Sequence, residues 1–147
     1  MEDATNYTAS ESTYTSIAKN LCYELSYSGL KNRVCFIIHG FWKSRENVPD
    51  LLNDWDKAIR FTRPGFTVIT DMRTMITHPQ SLNTLHEEAQ IKVKQAGVLQ
   101  VANIMPTDNI AKLQIGSLAD KTLIPSRNFA TVEEAEQWLD QLTPRLN

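Results

Sequence analysis

Asp71, Arg73, Thr74, Thr77, His78 and Ser81 stand close together in one stretch, VITDMRTMITHPQS, from Val68 to Ser81. Two kinds of chemistry suit that set. A phosphate on Thr74, Thr77 or Ser81 would bring about −1.5 to −2 charges to a helix N-terminus beside Arg73. Alternatively, the carboxylate, guanidinium, hydroxyls and imidazole could line a ligand site, since open α/β sheets bind ligands beyond the carboxyl ends of their strands, where helix N-termini offer free N–H groups. Trp42 and Met105 end neighbouring strand candidates and join such a site. The candidates for ligand or partner binding are thus Trp42, Asp71, Arg73, Thr74, Thr77, His78 and Met105. A plainer reading stands beside these: Thr77 caps a helix, with about 1 kcal/mol gained and no function required, and Asp71 bonds nearby backbone.

Other chemistry lacks its residues. His39, His78 and His86 show no metal-ligand spacing, and His86-Glu87-Glu88-Ala89-Gln90 has Gln where a zinc-protease motif needs its second His. Neither a Gly-x-Ser-x-Gly elbow nor a Gly-rich phosphate loop is present. No catalytic residues, metal or cofactor are assigned, and a non-enzymatic protein is expected. His39 reads as satisfying one hydrogen bond at a strand end, and His86 as lying on a solvated helix face. Cys22 and Cys35 would sit opposite each other across a two-residue turn at Ser28-Gly29, and a longer loop would separate them. Reduced thiols in a cytoplasmic protein are expected.

The elements that position these residues follow from periodicity. LCYELSY places Leu21, Tyr23, Leu25 and Tyr27 on one face. RVCFIIHGFW has a continuous apolar centre that suits a strand covered on both sides. Its trailing Phe41 is expected to pack, whereas Trp42 could pack or line a pocket. From Asn47, a helix cap, to Arg60, the residues Leu51, Leu52, Trp55, Ala58 and Ile59 form one stripe, with Asn53, Asp54, Asp56, Lys57 and Arg60 on the other side. FTVIT is the next strand. Thr77 and Gln80 then form a capping box for a helix carrying Leu82, Leu85, Ala89, Val93 and Ala96, closed by Gly97. VLQVANIM is a strand, and a helix capped by Thr107 runs from about Asp108 to Leu118. KTLIPSRNF holds a short strand, at or near an edge because Pro125 cannot donate to a ladder. Thr131 and Glu134 box the last helix, whose stripe is Val132, Ala135, Trp138, Leu139 and Leu142, and Pro144 stops it.

The order β-β-α-β-α-β-α-β-α predicts an α/β domain with a mostly parallel sheet of four to five strands. Its first strand is antiparallel, and about four helices cover one face or both. Residues 14–143 form one domain, with a disordered lead over 1–13 and a tail over 144–147. At 147 residues the chain can bury a real core. Its net charge of −2 offers no footprint for nucleic acid or an acidic membrane, and no apolar run reaches the roughly 20 residues that span a bilayer. The polar MEDATNYTASEST lacks the basic and apolar regions of a signal peptide.

Four passages, VCFIIHGFW, GFTVITDMR, AGVLQVANIM and FATVEEAEQWL, occur in an order and spacing that resemble the STAS-like domains, the fold of the bacterial anti-sigma-factor antagonists. More narrowly the chain is similar to their uncharacterised bacterial relatives of STAS/SEC14 type, over roughly Leu21 to Leu142. The resemblance implies a regulatory module that binds a protein partner or itself, with a loop hydroxyl open to phosphorylation by a partner kinase. Asp71 stands where the strand-end acid of that loop falls. Met72-Arg73-Thr74-Met75 follow it in place of an Asp-Ser-Ser-Gly-like passage. The alternative is a carrier or sensor of a small apolar or anionic ligand, or of a lipid, with its pocket at the carboxyl ends of the strands. A closed cavity favours the carrier, and an exposed apolar patch favours partner binding. The apolar edge near Leu123 and Ile124 allows a homodimer.

Overall fold

Alternation in Tyr23–Ser28 produces a half-buried strand: Tyr23, Leu25 and Tyr27 are buried, with Glu24 and Ser26 less so. In the computed structural model, which describes residues 13–142, this segment is β2. The other strands are β1 (Thr15–Lys19), β3 (Arg33–Ile38), β4 (Thr67–Asp71), β5 (Gln100–Ile104) and β6 (Ser126–Phe129). The helices are α1 (Leu51–Phe61), α2 (Asn83–Gln95), α3 (Asn109–Thr122) and α4 (Val132–Leu142), with 3-10 turns at Arg45–Asn47 and Gln80–Leu82. The lead expected over 1–13, apart from Thr13, and the tail with its stop at Pro144 lie outside the described residues.

All six strands form one sheet in chain order. The β1–β2 and β2–β3 pairs are antiparallel, and β3 to β6 run parallel. One strand more than the expected four to five is β1. A register irregularity between Ser16 and Ala18 breaks its alternation, which hides it from a period-two reading. Leu21, expected on the inward face, is 96% exposed because β2 starts later. There the Asn20 side-chain oxygen accepts the amides of Cys22 and Tyr23. The β2–β3 loop spans residues 29–32, so Cys35 pairs with Ser26, while the His39 amide donates to the Cys22 carbonyl. The two thiols are offset and free.

Helices α1, α2 and α3 share one face of the sheet. Leu51, Trp55, Ala58, Leu85, Ala89, Val93 and Ile115 pack there with Val34, Phe36, Ile38, Val68 and Val101. On the other face Ala135 and Leu139 of α4 meet Ile69, Ala102 and Ile104. This two-sided cover is why the central strands are apolar at consecutive positions. Each fully buried Leu, Ile, Val or Phe contributes about 1.5–3 kcal/mol.

Several helix starts differ from expectation. Asn47 does not cap α1; its side-chain oxygen accepts the amides of Lys43 and Ser44, and α1 begins at Leu51. A 3-10 turn delays α2 to Asn83, so Thr77 and Gln80 form no capping box. Asp108, not Thr107, caps α3, accepting the Ile110 and Ala111 amides. This helix continues to Thr122, and β6 starts only after Pro125. Thr131 does cap α4, its hydroxyl accepting the Glu134 amide at 3.2 Å. Gly97, at φ +93°, follows α2 in the left-handed conformation of a helix C-terminus. Asp54, expected on the outer side of α1, is buried and accepts the Tyr23 hydroxyl at 2.5 Å.

Candidate binding surface and cavity

The loop after β4 is held through Asp71, Arg73, Thr74, Thr77 and His78. The Asp71 carboxylate, buried at the strand end, accepts the backbone amide of Arg73 at 3.2 Å, its Nε at 3.0 Å and its Nη2 at 2.7 Å. Thr74 is exposed, and its hydroxyl donates to the Ile38 carbonyl at 3.3 Å. The Ile76 amide donates to the Gly40 carbonyl, which brings the loop beside the end of β3. Thr77 donates through both amide and hydroxyl to Asp108. Gln114 on α3 clamps His78, accepting its amide and donating to its carbonyl. Ser81 is exposed in the 3-10 turn. Met105 is half-buried, and its amide donates to the Phe129 carbonyl. The Thr77 amide lowers the Asp108 pKa most; the Thr77 hydroxyl and the Ile110 and Ala111 amides add to it.

Trp42, His78 and His86 are stacked. Ring centroids are 4.6 Å apart for Trp42 and His78, and 5.2 Å for the two histidines. Trp42 is fully buried, and its Nε1 donates to the Cys22 carbonyl at 2.9 Å. His78 Nε2 lies 3.3 Å from the Gly40 carbonyl, which can only accept. Neutral His78 therefore carries its proton on Nε2, and His86 Nε2 donates to His78 Nδ1 at 3.0 Å. That leaves His86 Nδ1 as an acceptor. Burial lowers both pKa values, and that of His86, with His78 adding to the effect, falls to about 3. His86 is thus a core residue rather than a solvated one. Its position on α2 in line with Leu82, Leu85 and Ala89 was the available signal, overridden by its polarity. His39 keeps a strand-end hydrogen bond, Nε2 to Glu24 Oε2 at 2.9 Å. Asp71, His39 and His78 are engaged with different neighbours rather than with one another.

Phe41, expected to pack, is 52% exposed, whereas Trp42 packs. A chain leaving a strand through Gly40, at φ +59°, turns one of two adjacent aromatics inward and the other out. Ile76 is also 52% exposed and Ile110 64%. The Ile76–Gly40 and Thr77–Asp108 bonds bring the segments of all three to one end of the sheet.

Beneath that end lies a cavity of about 80 Å³ between the sheet and α1, α2 and α3. Phe36, Ile38, Thr70, Met72 and Asn103 line it from the sheet side, and Trp55, His86, Gln90 and Ile115 from the helices. No Asp, Glu, Lys or Arg is among its lining residues, nor are Trp42, Asp71, Arg73 or Met105. Among the described residues, no group of three or more His, Cys, Asp or Glu is placed to hold a metal. No helix there is long and apolar enough to cross a membrane.

No protein-family model and no curated protein matches the sequence. Among solved structures, the chain is similar to an uncharacterized protein of the DUF3478 family with a SpoIIAA-like fold from Shewanella loihica PV-4. The two are 14% identical; the match covers 83% of this chain and 98% of that one, with a TM-score of 0.59. The domain therefore has a SpoIIAA-like, that is STAS-like, α/β fold.

Proposed function

We propose that this domain is a non-enzymatic regulatory module that engages a protein partner, or a second copy of itself, through the carboxyl-end surface of its sheet. The exposure of Phe41, Ile76 and Ile110 around a loop held by hydrogen bonds within the chain supports this reading. Such a surface offers apolar area without an ordering cost for the loop. Phosphorylation fits the same surface: Thr74 is exposed among these residues, and a phosphate there would place its charge beside Arg73 and against an apolar partner. Two free thiols suit a cytoplasmic setting.

Native mass spectrometry on protein isolated gently from its own cells tests this. A retained second chain, lost in Ile76→Lys while the melting temperature holds, is the expected result. A bare, unphosphorylated chain in both proteins would sink the reading.

The uncharged cavity favours a second reading, a carrier or sensor of a small molecule. A non-covalent adduct released on denaturation is its expected signature in the same experiment.

A further inference from the structure

Among the described residues, only two buried side-chain nitrogen or oxygen atoms have no hydrogen-bond partner within the protein: one terminal nitrogen of Arg33, and Trp55 Nε1. Trp55 lines the cavity and is only 3% exposed. An indole N–H is a donor and nothing else, and leaving a buried donor unmatched is costly enough that native proteins rarely do so.

Gln90, Asn103 and His86, also around the cavity, each make at least one hydrogen bond within the protein. Gln90 Oε1 accepts the Thr122 hydroxyl at 2.6 Å. The Asn103 amide donates to Asn128 Oδ1 at 3.3 Å. His86 is bonded to His78. The remaining lining is apolar apart from Thr70, and no charged side chain is present to neutralise an ion taken out of water. The volume is roughly half that of an engineered apolar cavity of about 150 Å³ that binds benzene.

From this conjunction we infer that the cavity is a binding site for a small neutral molecule, of about four or five heavy atoms, with an acceptor oxygen for Trp55 Nε1–H. The inference rests on the small-molecule reading above and adds the ligand's chemical class. An ether, ketone or alcohol oxygen on a short aliphatic frame meets each requirement: the oxygen accepts a hydrogen bond from the indole N–H, and the carbons face Phe36, Ile38, Met72 and Ile115. The uncharged lining disfavours an anion, and the volume accommodates only a short part of a lipid chain.

Tetrahydrofuran and cyclopentane are an isosteric pair with and without the acceptor. Both are titrated into the full chain while the Trp55 indole N–H resonance is followed by NMR, and the titrations are repeated in Trp55→Phe. The expected result is a downfield shift of that resonance with tetrahydrofuran alone, and about 5-fold weaker tetrahydrofuran binding in Trp55→Phe with cyclopentane unchanged. Binding of both with no selective indole shift would overturn the acceptor site and leave the small-molecule reading standing. If neither binds at millimolar concentration, both fall. An indole proton that keeps a strong cross-peak to water at tetrahydrofuran saturation assigns the donor to a structural water and also overturns the inference. The wild-type resonance decides the matter even if Trp55→Phe does not fold.

Discussion

Thr77 and Asp108 are joined twice: the Thr77 amide, at 3.2 Å, and its hydroxyl, at 3.0 Å, both donate to Asp108 Oδ2. The other carboxylate oxygen caps α3 through the Ile110 amide at 3.0 Å and that of Ala111 at 3.4 Å. One side chain thus starts a helix and anchors the loop after β4. Thr77→Val is expected to cost about 0.5–1.5 kcal/mol. Asp108→Asn should cost a similar amount, since Asn retains the cap, and the double variant should be no worse than either single one. Urea denaturation measures this; fully additive losses would mean that the two residues act separately.

Neutral, buried His86 makes stability depend on pH. Its folded pKa of about 3 lies below the unfolded value near 6.5, so the unfolded chain takes up the proton first. Stability is complete above pH 6.5 and falls as pH drops towards 3, by about 1.4 kcal/mol per pH unit for this one group. His78, shifted in the same direction, adds to the slope at its upper end. Asp108, whose pKa is lowered, contributes only where carboxylates titrate. Unfolding free energies of His86→Gln measured from pH 6.5 to 4.5 should show a flatter slope than wild type. An unchanged slope would contradict the assignment.

Tyr23 and Asp54 form a buried pair in which burial, then the bond to Asp54, raises the phenol pKa. Tyr23→Phe removes the donor and leaves the carboxylate with the amine of Lys57 at 3.9 Å. A hydrogen bond to a charged group is worth about 1.5–3 kcal/mol. A loss in that range on chemical denaturation is the expected outcome, and a loss under 0.5 kcal/mol would show that Asp54 re-solvates freely.

Arg33 has no exposed side-chain surface, and its Nη1 meets Glu136 and Asp140 while its Nε donates to Thr67 at 2.8 Å. Removing one partner of such a cluster leaves a charge stranded, whereas replacing the cluster with apolar groups is far milder. Glu136→Leu should destabilise by roughly 3 kcal/mol, and Arg33→Met combined with Glu136→Leu by less. A double variant worse than Glu136→Leu alone would refute that account.

The fold was legible where one period governs a whole element. Tyr23, Leu25 and Tyr27 alternate as they must, and Leu51, Trp55 and Ala58 form the stripe that packs. What escaped was set by contacts between distant parts of the chain. Thr77 matches a cap pattern locally, yet Asp108, 31 residues away, claims its hydroxyl. Asp54 and His86 look solvated by polarity, and are buried because Tyr23 and His78 satisfy them. The stretch around Asp71 was visible as a place where polar groups converge. The Trp55 cavity was not, because its lining residues come from six separate elements and their connecting segments.

The Arg33 cluster also bears on the order in which the protein is made. Glu136 lies 103 residues after Arg33, a delay of about 5–20 s at ordinary rates of synthesis. In the last part of that time, once Ile69, Ala102 and Ile104 have been made, the sheet face awaiting α4 is uncovered. A hydrated guanidinium beside them makes that face a poor surface for wrong partners, because any cover without acids would have to strip its water uncompensated. Only α4 brings Glu136 and Asp140 to the right place, and Glu136 then also accepts the Tyr14 hydroxyl at 2.9 Å. The partners of the Arg33 charge thus lie on the last helix of the described residues to emerge, and α4 is the cover equipped to meet it.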